Sequence, residues 1–243
     1  VYTPIAGALI WYQRPDVGLE IVLYVALSTV LHILYYYVLQ TGYRVGDMSL
    51  VYPLARGVGP LVTAALAITL LGERLEIPAI LGIGLIVAGT FCLTYTGKEP
   101  TDRTRASVIY GMLTGAIIAG YTLWDKYAVT ALLIPPLLYD WSCNLGRTLV
   151  LTPLGIRDSE TVRHYWRHHS LEAWGIAVLS PLAYILVLTA MMFTPVSYVA
   201  PARELNIVFG TLMGGRLLGE GNTLRRSVGA LIILGGIIML TVG

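Results

Sequence analysis

The four residues LLGE at positions 70–73 recur at positions 217–220. The gapless shift of 147 residues that superimposes them also lays Ala55-Arg56 on Ala202-Arg203, Gly82 on Gly229 and Gly89 on Gly236. Two apolar runs match by chance as Leu on Val or Ala on Ile. One frame that aligns an arginine, a Gly-Glu pair and two spaced glycines indicates an internal duplication.

The duplication is set in an apolar chain. Of 243 residues 56% are hydrophobic and 12% charged, with a mean hydropathy of +0.72, whereas soluble domains carry charge on about a quarter of their residues. This is the composition of a membrane protein. A net charge of +2 with scattered basic residues gives no nucleic-acid surface, so that partner class is excluded. Cys92 and Cys143 lie inside apolar runs, as packing residues do, and form neither a disulfide framework nor a thiolate metal site.

Apolar runs of bilayer-crossing length fall at residues 19–43, 48–71, 77–97, 107–127, 136–156, 173–193, 196–217 and 227–243, after a stub at 1–10. They are too long and too unbroken for barrel strands, so the expected fold is an all-α polytopic bundle of about nine helices. Under the repeat shift, the segments 107–127 and 136–156 map before residue 1 or onto its first few residues, where Tyr2-Thr3-Pro4 resembles Leu151-Thr152-Pro153. Because position 1 is Val, the natural chain is expected to begin about one and a half helices earlier, or the chain is a trimmed piece. The first repeat then covers residues 1–97, a linker 98–106 and the second repeat 107–243. With about five helices per copy, ten in the full chain, the odd number forces the copies into opposite orientations, the usual build of secondary transporters.

The paired LLGE signatures, each followed by a helix with spaced glycines (Gly82, Gly84 and Gly89; Gly229, Gly235 and Gly236), resemble the EamA branch of the drug/metabolite transporter superfamily. The resemblance covers nearly the whole chain except the absent start. It implies a ten-helix inverted-repeat carrier that exports or exchanges small metabolites such as amino acids, amines or sugar derivatives, in a bacterial-type inner membrane. The signature marks helix ends and close packing. It names the family without naming the substrate.

An ionisable side chain at the centre of a membrane helix costs about 2.5 kcal/mol or more by insertion scales, so those present default to function. Steps of three, four and seven residues put Ser49, Tyr52, Arg56 and Thr63 on one helical stripe. Asp140, Asn144 and Arg147 make another, His32, Tyr36 and Gln40 a third, Tyr121 and Asp125 a fourth, and Arg203, Asn206 and Gly210 a fifth. The stripes are expected to converge on a polar cavity. Arg56 and Arg203 are repeat mates, and each guanidinium is a rigid fork of donors suited to carboxylate or phosphate. Pro53, Pro60 and Pro201 free backbone groups at the same depth. The expected substrate contacts are therefore Arg56, Arg203 and Tyr52, with Tyr36, His32 and Gln40, and with Tyr121, Asn144 and Asn206. The expected substrate is small and anionic or zwitterionic.

Glu204 and then Asp140 are the candidate proton-coupling acids, since a carboxyl in a poorly hydrated cavity can load and release a proton. The competing reading is structural: either arginine neutralised by Glu204 or Asp140, a self-contained Asp140–Asn144–Arg147 bridge, and His32 as a hydrogen-bonded cavity residue. Asp125 and Lys126 lie near a segment end and read as interfacial. Gly72-Glu73 and Gly219-Glu220 read as helix-end features.

His164-Tyr-Trp-Arg-His168-His169 has the look of a di-iron site, but the chain holds four histidines in all, and with Arg157, Arg163 and Arg167 nearby it reads better as an amphipathic interfacial segment. No metalloprotease, phosphate-loop or nucleophile-elbow motif occurs, so neither an enzyme nor a bound cofactor is expected. A rival reading is a non-catalytic membrane component, such as a lipid-linked-sugar flippase subunit, or one half of a homo- or heterodimeric carrier. Lys and Arg counts on alternate sides make the loops with Arg44, Lys98, Arg103, Arg105 and Arg157 cytoplasmic and place the C-terminus outside. The family resemblance implies the reverse.

Overall fold

Lipid offers the backbone no hydrogen-bond partner, so an apolar chain crossing it must close its bonds within each segment. The computed structural model describes residues 2–14, 18–46, 48–94, 102–206 and 223–242. Its described elements are ten helices: α1 (Thr3–Gln13), α2 (Leu19–Val45), α3 (Met48–Leu70), α4 (Ile77–Thr94), α5 (Asp102–Thr130), α6 (Pro136–Arg157), α7 (Ser159–His168), α8 (Ser170–Phe193), α9 (Val196–Ala202) and α10 (Thr223–Val242). By length and composition α2, α5, α8 and the stretch Leu50–Leu70 of α3 can cross a membrane, while the apolar stretches Ile77–Cys92 and Val228–Leu240 are shorter. Of the run expected at 196–217, residues 207–217 lie outside the described residues. All ten residues of α7 are exposed. Val162, Tyr165 and Trp166 share one of its faces, as an amphipathic interfacial helix requires.

The chain forms two compact units, one from residues 1–33 and 124–193, the other from 34–123 and 194–243, with the division falling inside α2 and α5. In the second unit α4 lies along α10 with backbones almost touching. A Cβ on Gly82 would sit 2.6 Å from the Gly236 carbonyl oxygen, and one on Gly236 would sit 2.6 Å from that of Gly82. Gly89 faces the Gly229 oxygen at 2.9 Å in the same sense. Small residues at such a seam let helices approach where lipid supplies no hydrophobic drive. Gly82 and Gly229 are repeat mates, as are Gly89 and Gly236, so each glycine meets the mate of the other. Residue numbers rise along one helix as they fall along its neighbour. The repeats are therefore related by a pseudo-two-fold, inverted in sense. Ala79, Ile83, Ile86, Ala230, Ile233 and Leu240 seal the seam.

The LLGE signature of the first repeat gains a physical meaning here. Gly72 sits at φ +67, a left-handed conformation that favours glycine, and stops α3. The next residue turns its carboxylate onto the start of α9: Glu73 Oε1 accepts the Val196 N–H at 2.9 Å, and Oε2 accepts the Ser197 N–H at 3.0 Å and the Ser197 hydroxyl at 2.5 Å. Those amides have no intrahelical partner, and a negative charge suits the positive helix end. The mate at residues 217–220 lies outside the described residues.

The first unit is held differently. Gly146 of α6 lets α2 approach until an added Cβ would lie 2.7 Å from Thr29 Oγ1. Trp124 stacks on Tyr24 at 4.3 Å and donates its indole N–H to the Tyr24 carbonyl at 3.0 Å. Lys126 donates to the Met191 carbonyl at 2.6 Å, near the C-terminal end of α8, where a cation offsets the helix dipole.

Candidate functional site

In the second unit, Pro201 lacks an N–H and α9 ends one residue later. Arg203 and Glu204 form a turn in which the Glu204 N–H donates to the Pro201 carbonyl at 3.0 Å. That turn puts the Glu204 carboxylate opposite Arg56 of α3, with Nη1 to Oε1 at 3.8 Å. The separation is an ion pair without a hydrogen bond. Glu204 is 3% exposed and its other oxygen, Oε2, has no hydrogen-bond partner. Native structures rarely leave a buried polar atom so. The Arg56 guanidinium, 22% exposed at its side chain, rests over the Tyr52 ring at 5.4 Å, a cation–π distance.

Buried Tyr121 meets Tyr35 edge-on at 5.8 Å, and Tyr35 meets Tyr36 at 5.0 Å. Tyr36, Gln40 and Asn206 are exposed, and Arg203 is half-buried. Buried Thr63, the last of its stripe, donates to the Gly59 carbonyl at 2.8 Å. The side chains of Ser49 and Pro53, and Gly210, lie outside the described residues. Under the repeat shift Glu204 falls on Gly57, so both copies carry the arginine and one carries the acid.

Among its described residues the first unit buries two carboxylates. Asp140 of α6 accepts from the Tyr2 hydroxyl at 2.5 Å and from Asn144 Nδ2 at 2.9 Å. Asn144 relays to Arg147, whose Nη2 donates to Asn144 Oδ1 at 2.9 Å and lies 3.9 Å from Asp140 Oδ1. This is the Asp140–Asn144–Arg147 bridge expected from the stripe, with Tyr2 of the preceding stub added.

The second carboxylate corrects the sequence reading. Asp125 is fully buried rather than interfacial. Its Oδ1 accepts the Ser28 hydroxyl and the Tyr139 hydroxyl, each at 2.7 Å, and its Oδ2 accepts the Tyr184 hydroxyl. His32, also buried, places Nε2 3.9 Å from Asp125 Oδ2. Four helices, α2, α5, α6 and α8, thus meet on one carboxylate. The signal available in the sequence was Ser28 one helical turn before His32; nothing there pointed to Tyr139 or Tyr184. Among the described residues no group of three or more His, Cys, Asp or Glu side chains could hold a metal ion.

The family model of EamA-like transporters matches residues 2–95 and again residues 105–242. The chain belongs to the EamA-like transporter family. This EamA protein is an integral membrane protein of the drug/metabolite transporter superfamily, and its two matches are the two repeats of an all-α polytopic fold. A crystal structure of another protein superposes on it with a TM-score of 0.73, covering 98% of this chain and 84% of its own at 15% identity. At that identity the likeness is one of fold alone. No curated protein matches the EamA chain by sequence.

Proposed function

We propose that this EamA protein is a secondary-active transporter of small polar metabolites, anionic or zwitterionic, acting by alternating access in a bacterial-type inner membrane and driven by protons or by exchange. The observation that carries this reading is the loose contact of Arg56 with Glu204, whose buried Oε2 lacks a hydrogen-bond partner. A pair built only to cancel charge would close to hydrogen-bond distance and satisfy both oxygens. This one leaves donor and acceptor capacity for something that comes and goes. Arg56 and Arg203 against a single Glu204 give these positions one surplus positive charge, which favours an anionic group on the substrate.

In this reading Arg56, Arg203 and Tyr52 contact the substrate together with Tyr36, Gln40, Tyr121 and Asn206, while His32 and Asn144 belong to the polar clusters of the first unit. Glu204 is the first proton-coupling acid and Asp140 the second, though Asp140 already has its bonds made. Transport needs a site open to one side at a time, with ligand and proton biasing which conformation is populated.

The test is the unfolding temperature of the purified protein against amino acids, organic acids, phosphorylated sugars and cationic amines, repeated on Arg56→Ala and Arg203→Ala. The expected result is stabilisation by an anionic or zwitterionic compound that disappears in both variants. Stabilisation by cations that survives both changes would make the arginines structural.

A further inference from the structure

The carboxylate of Asp125 sits at the meeting of α2, α5, α6 and α8, three of which are long and apolar enough to span the membrane. Nothing in the transport reading above uses it. Burying a carboxylate among membrane-spanning helices is costly, and one that persists defaults to a functional assignment.

The geometry around it is specific about protons. His32 Nδ1 lies 2.9 Å from the Ser28 carbonyl oxygen. A carbonyl can only accept, so Nδ1 carries the hydrogen and Nε2 is the nitrogen at which the ring gains or loses its charge. That nitrogen faces Asp125 Oδ2 across 3.9 Å, and the ring packs edge-on against Tyr184 with centroids 5.6 Å apart. Three hydroxyls, from Ser28, Tyr139 and Tyr184, donate to the same carboxylate. The other titratable groups nearby are on α6: buried Cys143, which lies close to both Ser28 and Asp125, and Asp140, held by Tyr2, Asn144 and Arg147.

We propose that Asp125 and His32 share one exchangeable proton, making this four-helix centre the proton-carrying site of the transport cycle. The pair takes the proton from water, passing from one negative charge to neutrality, and returns it to water on release. The donors come from three helices other than the one that bears Asp125. Any movement of α8 that withdraws the Tyr184 hydroxyl therefore changes the number of hydrogen bonds to the carboxylate, and so its hold on the proton. That is how a conformational step and a protonation step become one event. The proposal rests on the transporter reading and moves its coupling site from Glu204 and Asp140 to Asp125.

Infrared difference spectra of the purified protein in lipid, recorded between acid and alkaline buffers with no transported compound, test the proton itself. We expect a carboxyl band that exchanges with pH, is missing from Asp125→Asn, and shifts its midpoint in His32→Gln and in Tyr184→Phe. A spectrum without such a band, or one that survives Asp125→Asn, overturns the site. Should Asp125→Asn fail to fold, the two milder variants decide: midpoints identical to wild type in both overturn it equally. These spectra need no substrate, so their outcome is independent of whether Arg56 binds one. The coupling is tested with a stabilising compound from the unfolding panel. Its effect should depend on pH in the wild type and lose that dependence in His32→Gln; an unchanged dependence overturns the coupling role.

Discussion

The two units keep their buried carboxylates in opposite ways. Asp125 in the first unit is tied by three hydroxyls from three helices, so the polar centre is also what holds the helices. Glu204 in the second unit has one oxygen 3.8 Å from Arg56 and the other without a hydrogen bond, while the holding is done by the glycine seam of α4 and α10. Where packing fixes the helices, a charged pair can stay slack enough to exchange partners. Where a carboxylate fixes them, a change in its protonation changes the packing. A carrier that must link ligand exchange to shape change has use for both arrangements.

Asp125→Ala gives the largest expected effect. It takes the carboxylate from three hydroxyls, those of buried Ser28 and Tyr139 and of half-buried Tyr184, each worth about 1 kcal/mol where no other acceptor is reached, so a loss of roughly 3 kcal/mol at most is expected in detergent unfolding. A loss below about 1 kcal/mol would erase the contrast between the units. Gly236→Ala comes next, because its new methyl would meet the Gly82 carbonyl oxygen at 2.6 Å. An overpacking cost of about 2 kcal/mol is expected, and an unchanged unfolding temperature would show that the seam does not hold the second unit. Smallest is Glu204→Gln. The pair is already open and Arg56 is partly exposed, so about 1 kcal/mol or less should be lost, while stabilisation by an anionic compound should be kept or grow, because the surplus positive charge at Arg56 and Arg203 rises. A stability loss as large as that of Asp125→Ala would mean that Glu204 too is structural.

The membrane helices were legible because their cause is local: an apolar run of fixed length has one way to satisfy its backbone in lipid. The expected spans at 48–71 and 136–156 fall on α3 and α6 almost end for end. The inverted relation was legible from the repeat frame, and the crossed contacts of Gly82 with Gly236 and Gly89 with Gly229 realise it. Stripes within one helix also carried over, as Asp140, Asn144 and Arg147 show. What could not be read was convergence between helices. Asp125 looks interfacial on its own segment, and Tyr184 lies in a stretch with no charged residue; only folding brings them to one point. Glu73 was rightly a helix-end residue, but the end it caps belongs to the other repeat, 123 positions away.

The crossed glycine contacts have the pattern of an isologous interface, the self-complementary kind by which two identical subunits form a symmetric dimer. Joined in one chain, the copies meet as two separate molecules would, each offering the patch that the other needs. Two polypeptides produced by cutting between α4 and α5 should still find each other by the same seam.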